Sequence, residues 1–334
     1  MRKNLLMVPL LLFVLGMGIQ VRADCLKWVE AGKADNMDNF GMIAYDENEQ
    51  KVAYCDGASL WYFDGSAWEL YWQGVPNAGP GWNYIMPDAF YFDEVLQTLV
   101  LIGSIHDDQP GDGEGGLIGF RYTPGQGFFA YGDFLEGAGS GLYPSVANIV
   151  AYDTARKRAV LSPAIISQWE LATIEYDGNH FYVIPNADDL MIAYGYTAYD
   201  PESAKTVFAG MIDTPSGAIN TTCIYDGTAW TRVDDQVMCS DSLCPSSGIA
   251  YDPALHGIVS LSNAPFPQST WLFKDGSWQI LTIDTNMGNS AYDGWLVFDY
   301  NRKKMVLLGE EVGTYYMETW ELGYFNHCRP ISRP

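Results

Sequence analysis

The chain has 334 residues, with 18 lysines and arginines against 41 aspartates and glutamates, for a formal net charge of −23. So large an acidic excess argues against nucleic acid or an anionic membrane surface as a partner. Cations, basic partners and neutral sugars stay open.

The first segment, residues 1–23 (MRKNLLMVPLLLFVLGMGIQVRA), carries two basic residues, an apolar core and a small residue at Ala23. It reads as a secretory signal cleaved before Asp24, and its apolar run is too short to span a bilayer comfortably. The expected location is secreted, periplasmic or cell-surface, with no transmembrane segment after cleavage. Loss of Arg2, Lys3 and Arg22, with no acid, takes the charge to −26.

From there an aromatic residue followed by Asp closes a short apolar run six times: Tyr45-Asp46, Phe92-Asp93, Tyr152-Asp153, Tyr199-Asp200, Tyr251-Asp252 and Phe298-Asp299. The spacings are 47, 60, 47, 52 and 47 residues. Repeats of this length carrying several short strands are the signature of a β-propeller, in which each blade buries its faces only against its neighbours. The first unit reads MIAYD, ENEQ, KVAYC, SLWYFD, Asp64-Gly65 and AWELYW, which is four strands rich in β-branched and aromatic residues. Asp177-Gly178, Asp226-Gly227 and Asp275-Gly276 repeat the Asp-Gly element, and each is expected to make a tight two-residue hairpin. The last unit lacks a closing strand, because only NHCRPISRP follows TWELGYF. Residues Asp24 to Ala31 supply it, with Trp28 standing where Trp68 stands in the first unit. The expectation is an all-β, six-bladed propeller with four antiparallel strands per blade, forming a single domain over residues 24–334 and closed by its N-terminal strand.

Six cysteines in an exported chain suggest disulfides. Ring closure brings Cys25 near Cys328, and the short loop CSDSLC favours Cys239 with Cys244. Cys55 and Cys223 fall in blades on opposite sides of the ring, which leaves free buried thiols or another pairing.

Antiparallel order puts the first-to-second and third-to-fourth connections on one face, and these are short. The second-to-third and inter-blade connections lie on the other face and are long, so function is expected there. The longest insertion, Ser104 to Gly116, offers Asp107, Asp108, Asp112 and Glu114 as oxygen ligands for Ca²⁺, although their spacing is not that of an EF-hand loop. No other cofactor is expected. Acids also gather at Asp188, Asp189, Asp234, Asp235, Asp241, Asp284, Glu310 and Glu311. Aromatics stand beside them at Trp72, Trp82, Tyr84, Tyr143, Tyr194, Tyr196, Trp295, Tyr315 and Tyr316. Aromatic faces with carboxylates suit a sugar-binding mouth over the ring axis. The four histidines (His106, His180, His256, His327) are scattered, and no His-x-x-x-His, Cys-x-x-Cys or Gly-x-Ser-x-Gly motif occurs. A paired-carboxylate glycosidase stays open, because acids that converge in space need not be near in sequence. Asn220-Thr221-Thr222 is a single glycosylation sequon.

The segments Leu60 to Trp68, Cys223 to Trp230, Thr270 to Trp278 and Met305 to Trp320 make the repeat resemble a divergent kelch unit, as in the central propeller of galactose oxidase-like proteins. The family's glycine doublet survives only as Gly103, Gly210 and Gly309. It gives way to Cys55-Asp56, Ser162-Pro163 and Ser262-Asn263 in the other blades. The resemblance covers the mature chain and implies the propeller fold. It brings no match to the tyrosine, histidine and crosslinked cysteine set of a copper radical oxidase. Some exported kelch propellers are sialic-acid mutarotases that use an acid, an arginine and a histidine, roles for which His106 and Arg121 are available without a matching motif. Most kelch-like propellers are binding scaffolds. The reading is thus a monomeric, non-catalytic binding propeller with a carbohydrate or protein ligand, held by Trp82, Tyr84, His106, Arg121, Tyr194, Trp295 and Tyr315. A carbohydrate-active enzyme and a structural surface protein are the alternatives.

Overall fold

In the computed structural model the described residues are 26–34, 37, 41–74, 76, 85–105, 116–136, 150–167, 170–185, 191–214, 217–234, 248–262, 269–281, 283, 287, 292–310 and 316–324. They form twenty-four strands and no helix, so none of them lies in a helix long and apolar enough to cross a membrane. Strand β1 is Leu26–Ala34. Blade 1 holds β2 to β5 (Met42–Asp46, Lys51–Cys55, Ser59–Phe63, Trp68–Gln73), and blade 2 holds β6 to β9 (Ile85–Asp93, Thr98–Ile105, Gly116–Thr123, Gly127–Glu136). Blade 3 holds β10 to β13 (Val150–Asp153, Arg158–Ser167, Glu170–Tyr176, Phe181–Pro185), and blade 4 holds β14 to β17 (Met191–Asp200, Lys205–Thr214, Gly217–Tyr225, Trp230–Asp234). Blade 5 holds β18 to β21 (Ile249–Asp252, Gly257–Ser262, Ser269–Lys274, Ser277–Leu281), and blade 6 opens with β22 to β24 (Tyr292–Asp299, Lys304–Glu310, Met317–Tyr324).

Each blade is a four-stranded antiparallel sheet, and the first strands adjoin one another around the ring, ending with β22 against β2. Blade 6 takes its outer strand from the other end of the chain: β1 pairs with β24 from Leu26↔Tyr324 to Ala34↔Met317, so the protein is a six-bladed β-propeller closed as expected. The hydrophobic clusters lie mostly between adjoining blades. The expected disulfide residues Cys25, Cys328, Cys239 and Cys244 lie outside the described residues. Cys55 and Cys223 are free and buried, and burial pushes both thiols up to about 12, which makes them unreactive at neutral pH.

The repeated aromatic-Asp pair has two separate tasks. The aspartate caps its own turn: Asp46 Oδ1 accepts from Asn48 N and Glu49 N at 2.9 and 3.3 Å, and Asp93, Asp153, Asp200 and Asp252 do the same for the residues two and three positions on. That local hydrogen bonding holds the fourth turn residue (Gln50, Gln97, Lys157, Ala204, His256, Lys303) in the left-handed region, at φ of 53–57°, a conformation costing roughly 1–2 kcal/mol for a side chain that is not glycine. Where the aromatic residue is tyrosine it reaches the preceding blade. The Tyr152 hydroxyl donates to Asp93 Oδ1 at 3.2 Å, and that of Tyr45 accepts from Asn301 N at 3.1 Å.

A second link joins the outer strand of one blade to the third strand of the blade before it. The indole N–H of Trp28, Trp68, Trp230 and Trp278 donates to the hydroxyl of Thr270, Thr319, Thr173 and Thr222 at 3.0, 2.8, 2.7 and 2.7 Å. Trp28, contributed from the far end of the chain, therefore does what Trp68 does in blade 1. In blades 2 and 3 the tryptophan is replaced by Phe128 and Phe181, and the threonine register position in the blade before holds Leu60 and Gly119, so no hydroxyl is left waiting for a donor.

The Asp-Gly element departs from expectation. Only Asp275-Gly276 makes a two-residue hairpin, with Lys274 paired to Ser277 and both turn residues at positive φ. In blades 1, 3 and 4 four residues separate the last pairs (Phe63↔Trp68, Tyr176↔Phe181, Tyr225↔Trp230). The aspartate there acts as an acceptor: Asp64 Oδ1 takes the N–H groups of Ser66 and Ala67, and Asp226 those of Thr228 and Ala229. The glycine is required for close approach as well as for its φ. A Cβ on Gly65 would lie 2.6 Å from Arg302 of blade 6, and one on Gly227 2.9 Å from Arg156 of blade 3.

The Trp–Thr link is testable by denaturation. Trp68→Phe is expected to cost about 1–3 kcal/mol, since it strands the Thr319 hydroxyl as well as losing a bond. Adding Thr319→Val, which imitates the Leu60–Phe128 interface, is expected to recover part of that loss; a double variant no more stable than Trp68→Phe alone would remove the link from the account.

Candidate functional site

On the short-turn face the polar groups of the described residues are largely engaged with one another. Arg156 Nε donates to Asp153 Oδ2 at 2.6 Å while its Nη1 meets Glu175, and Arg158 Nη1 donates to the other Glu175 oxygen at 2.7 Å. Burial alone would raise the Glu175 carboxyl. The bonds from Arg156, Arg158 and the Tyr225 hydroxyl outweigh it and hold the group below the usual carboxylate range. Blade 6 repeats the device with Arg302, Asp299, Glu321 and Lys304. Between blades, Lys157 meets Glu94, His180 meets Asp133 at 2.7 Å, and His256 meets Glu202. The bond to Asp133 raises the His180 pKa. These side chains tie turn to turn and blade to blade.

Trp82, Tyr84, His106, Tyr315 and the four acids Asp107, Asp108, Asp112 and Glu114 lie outside the described residues, so no geometry bears on them here. Tyr194 sits in β14 opposite Met211, next to a register shift. Trp295 is buried in the seam between blades 6 and 1, edge-on to Tyr54 with ring centroids 6.5 Å apart. Arg121 stands near the short-turn end of β8, roughly 16 Å along the strand from the residue where the long insertion ends. Its Nη2 donates to Gly178 O at 2.9 Å and its guanidinium lies 3.0 Å over the Tyr131 ring. Among the remaining long-face aromatics, Trp72 packs edge-on against Phe128, Tyr196 is buried and Tyr316 is exposed. The sequon threonine Thr222 is buried and accepts the Trp278 indole, which puts the sequon in the middle of a sheet and not on a surface loop.

One residue that sequence reasoning missed stands out. Asp88 lies five positions before the turn-capping Asp93, where blades 1, 4 and 6 have Gly41, Gly195 and Gly294. A Cβ at any of those three glycines would meet a neighbour at 2.2–2.7 Å, whereas in blade 2 the aspartate stands within a register shift between Pro87 and Ala89. Its carboxyl group is buried and bonded to Ser104. Burial raises its pKa from 3.8 to about 7, although the Ser104 hydroxyl and N–H pull the other way. The signal for it was available: an acid within the otherwise apolar run IMPDAFYF, at the end of β6 that adjoins the long loops. A carboxyl whose pKa burial raises this far can be held protonated, and then donates a hydrogen bond as well as accepting one.

No protein-family model and no curated protein matches the sequence. Solved structures do. A protein of unknown function from Bacteroides thetaiotaomicron is similar with a TM-score of 0.55 at 9% identity, over 89% of this chain and 76% of that one. A Thermus thermophilus protein described as a glucose dehydrogenase gives 0.53 at 8%, over 89% of this chain and all of that one. Trypanosoma rangeli sialidase, in complex with 2,3-difluorosialic acid, gives 0.52 at 10%, and there the match spans 90% of this chain but 57% of the sialidase. At such identities the likeness shows the propeller fold alone.

The Asp88 environment makes a pH prediction with a definite sign. Its folded pKa lies above the unfolded value, so its favourable contribution is complete below about pH 4 and is lost as pH rises to about 7. The loss is at most about 4 kcal/mol. Asp88→Asn is expected to match the wild type near pH 4 and to exceed it in denaturation free energy at pH 8; equal pH slopes for the two proteins would show that the carboxyl is not the buried acid described.

Proposed function

We propose that the protein is an exported, non-catalytic binding propeller that presents its long-loop face, acidic and aromatic, to a carbohydrate or protein ligand. The observation that carries this reading is the consumption of the other face: its conspicuous charges and turn aspartates are engaged in capping turns and joining blades. The loops free to vary are on the opposite side, where Trp82, Tyr84, Tyr315 and the acids of residues 104–116 collect in the sequence. Sugars are the first ligand class to try, because two of the similar folds carry names of proteins that act on sugars. Calcium held by Asp107, Asp108, Asp112 and Glu114 would be a natural adjunct to such a face.

Asp88 favours a second reading, a carbohydrate-active enzyme in which this carboxyl serves as the acid or base. The two readings separate on turnover: the enzyme converts a glycoside or sugar anomer and loses that activity in Asp88→Asn, whereas the binder retains ligand without converting it.

A glycan array and a calcium titration followed by thermal shift, on the same purified protein, test the first reading. The expected result is a sugar hit or a chelator-reversible rise in melting temperature, abolished in a folded Trp82→Ala/Tyr315→Ala variant. Ligand retention unchanged in that variant would remove the long-loop face from the proposal.

A further inference from the structure

Blades 3 and 6 share one charge pattern, and blade 2 inverts it. In the first two, an arginine at the third turn position (Arg156, Arg302) donates to the capping aspartate, and a glutamate on the third strand (Glu175, Glu321) takes the other side of the guanidinium. The glutamates pair across the sheet with Val160 and Val306. In blade 2 the turn position holds Leu96, and the strand residue in the same register, opposite Val100, is Arg121. The cation has moved from the turn to the strand, and its acidic partner has disappeared from the strand.

The guanidinium still reaches the next blade's glycine, since Arg121 Nη2 donates to Gly178 O much as Arg156 Nη1 donates to Gly227 O. From its new root, however, Arg121 makes no ion pair with Asp93. Three buried groups of this blade have no partner among the described residues: Asp93 Oδ2, Arg121 Nε and the Tyr91 hydroxyl. They belong to one neighbourhood. Gly178 touches both charged residues, for a Cβ built on it would lie 3.3 Å from Asp93 Oδ2. Tyr91 stacks at 5.4 Å on Tyr152, whose hydroxyl binds the other Asp93 oxygen. Asp93 and Arg121 both act electrostatically on the Tyr91 hydroxyl, which burial keeps in its neutral, donating form.

We propose that the seam between blades 2 and 3 holds a buried water molecule bridging Asp93 Oδ2, Arg121 Nε and the Tyr91 hydroxyl. The site carries one negative and one positive side chain, so neither a cation nor an anion is favoured there. A water accepts from Arg121 and Tyr91 and donates to Asp93, which completes three hydrogen bonds, the usual number for a buried water. Through it blade 2 recovers the Asp-to-Arg connection that blades 3 and 6 make directly.

A crystal structure of the wild-type protein at about 1.8 Å resolution decides this, with a density peak expected at roughly 2.7–3.2 Å from each of the three atoms. Arg121 swung into direct contact with Asp93 and no peak would overturn it. So would a peak with anomalous signal or metal-length bonds. The variant Leu96→Arg/Arg121→Glu copies the blade 3 arrangement and is expected to lose the peak while keeping the melting temperature of the wild type or exceeding it. Persistence of the peak in that variant would also contradict the proposal, and should the variant fail to fold, the wild-type map still decides.

Discussion

The pairing of β1 with β24 is the interaction on which everything else in the ring depends. A propeller blade has no core of its own, so each of its faces must be covered by a neighbour, and six blades cover one another only when the circle is complete. Eight paired positions between residues 26–34 and 317–324 complete it, and they remove the one sheet edge that would otherwise lack its outer strand. Trp28 then reaches Thr270 of blade 5, so the strand that closes blade 6 also anchors it to the preceding blade. A bond of this kind contributes only about 0.5–1.5 kcal/mol net. Its effect lies in repetition, because four seams share the same Trp–Thr link and two replace donor and acceptor together with apolar groups.

The same economy shows on the short-turn face. Tight turns leave few residues to satisfy many backbone groups, so each turn recruits an aspartate, and the neighbouring blade brings a tyrosine, arginine or histidine to the same spot. The short-turn face is therefore polar for structural reasons.

Much of this architecture was legible because the aromatic-Asp pair recurs where geometry needs it: the Asp-capped turn forces the dipeptide, and the dipeptide counts the blades. Trp28 was readable because the residues around it repeat those around Trp68 in the first unit. The Asp-Gly element misled, because the dipeptide alone does not reveal whether the aspartate adopts positive φ, as Asp275 does, or turns its carboxylate back onto the loop, as Asp64 and Asp226 do. Arg121 was singled out for its chemistry and lies at the turn end of its strand, and Trp295 is part of a seam. Asp88 was passed over although it is an acid within an apolar run, because the spacing that counts the blades does not reveal the burial of its carboxyl or its bond to Ser104.

Hydrogen exchange of the intact protein, followed by mass spectrometry, tests most directly whether the ring is one closed unit. The account predicts that the amides of residues 26–34 that bond to β24 are protected to the same degree as those of residues 317–324 and exchange with them, near the global unfolding limit. Rapid exchange of all amides of residues 26–34, those that bond to β24 included, while the rest of blade 6 stays protected would contradict it, and would mean that the ring does not depend on its N-terminal strand.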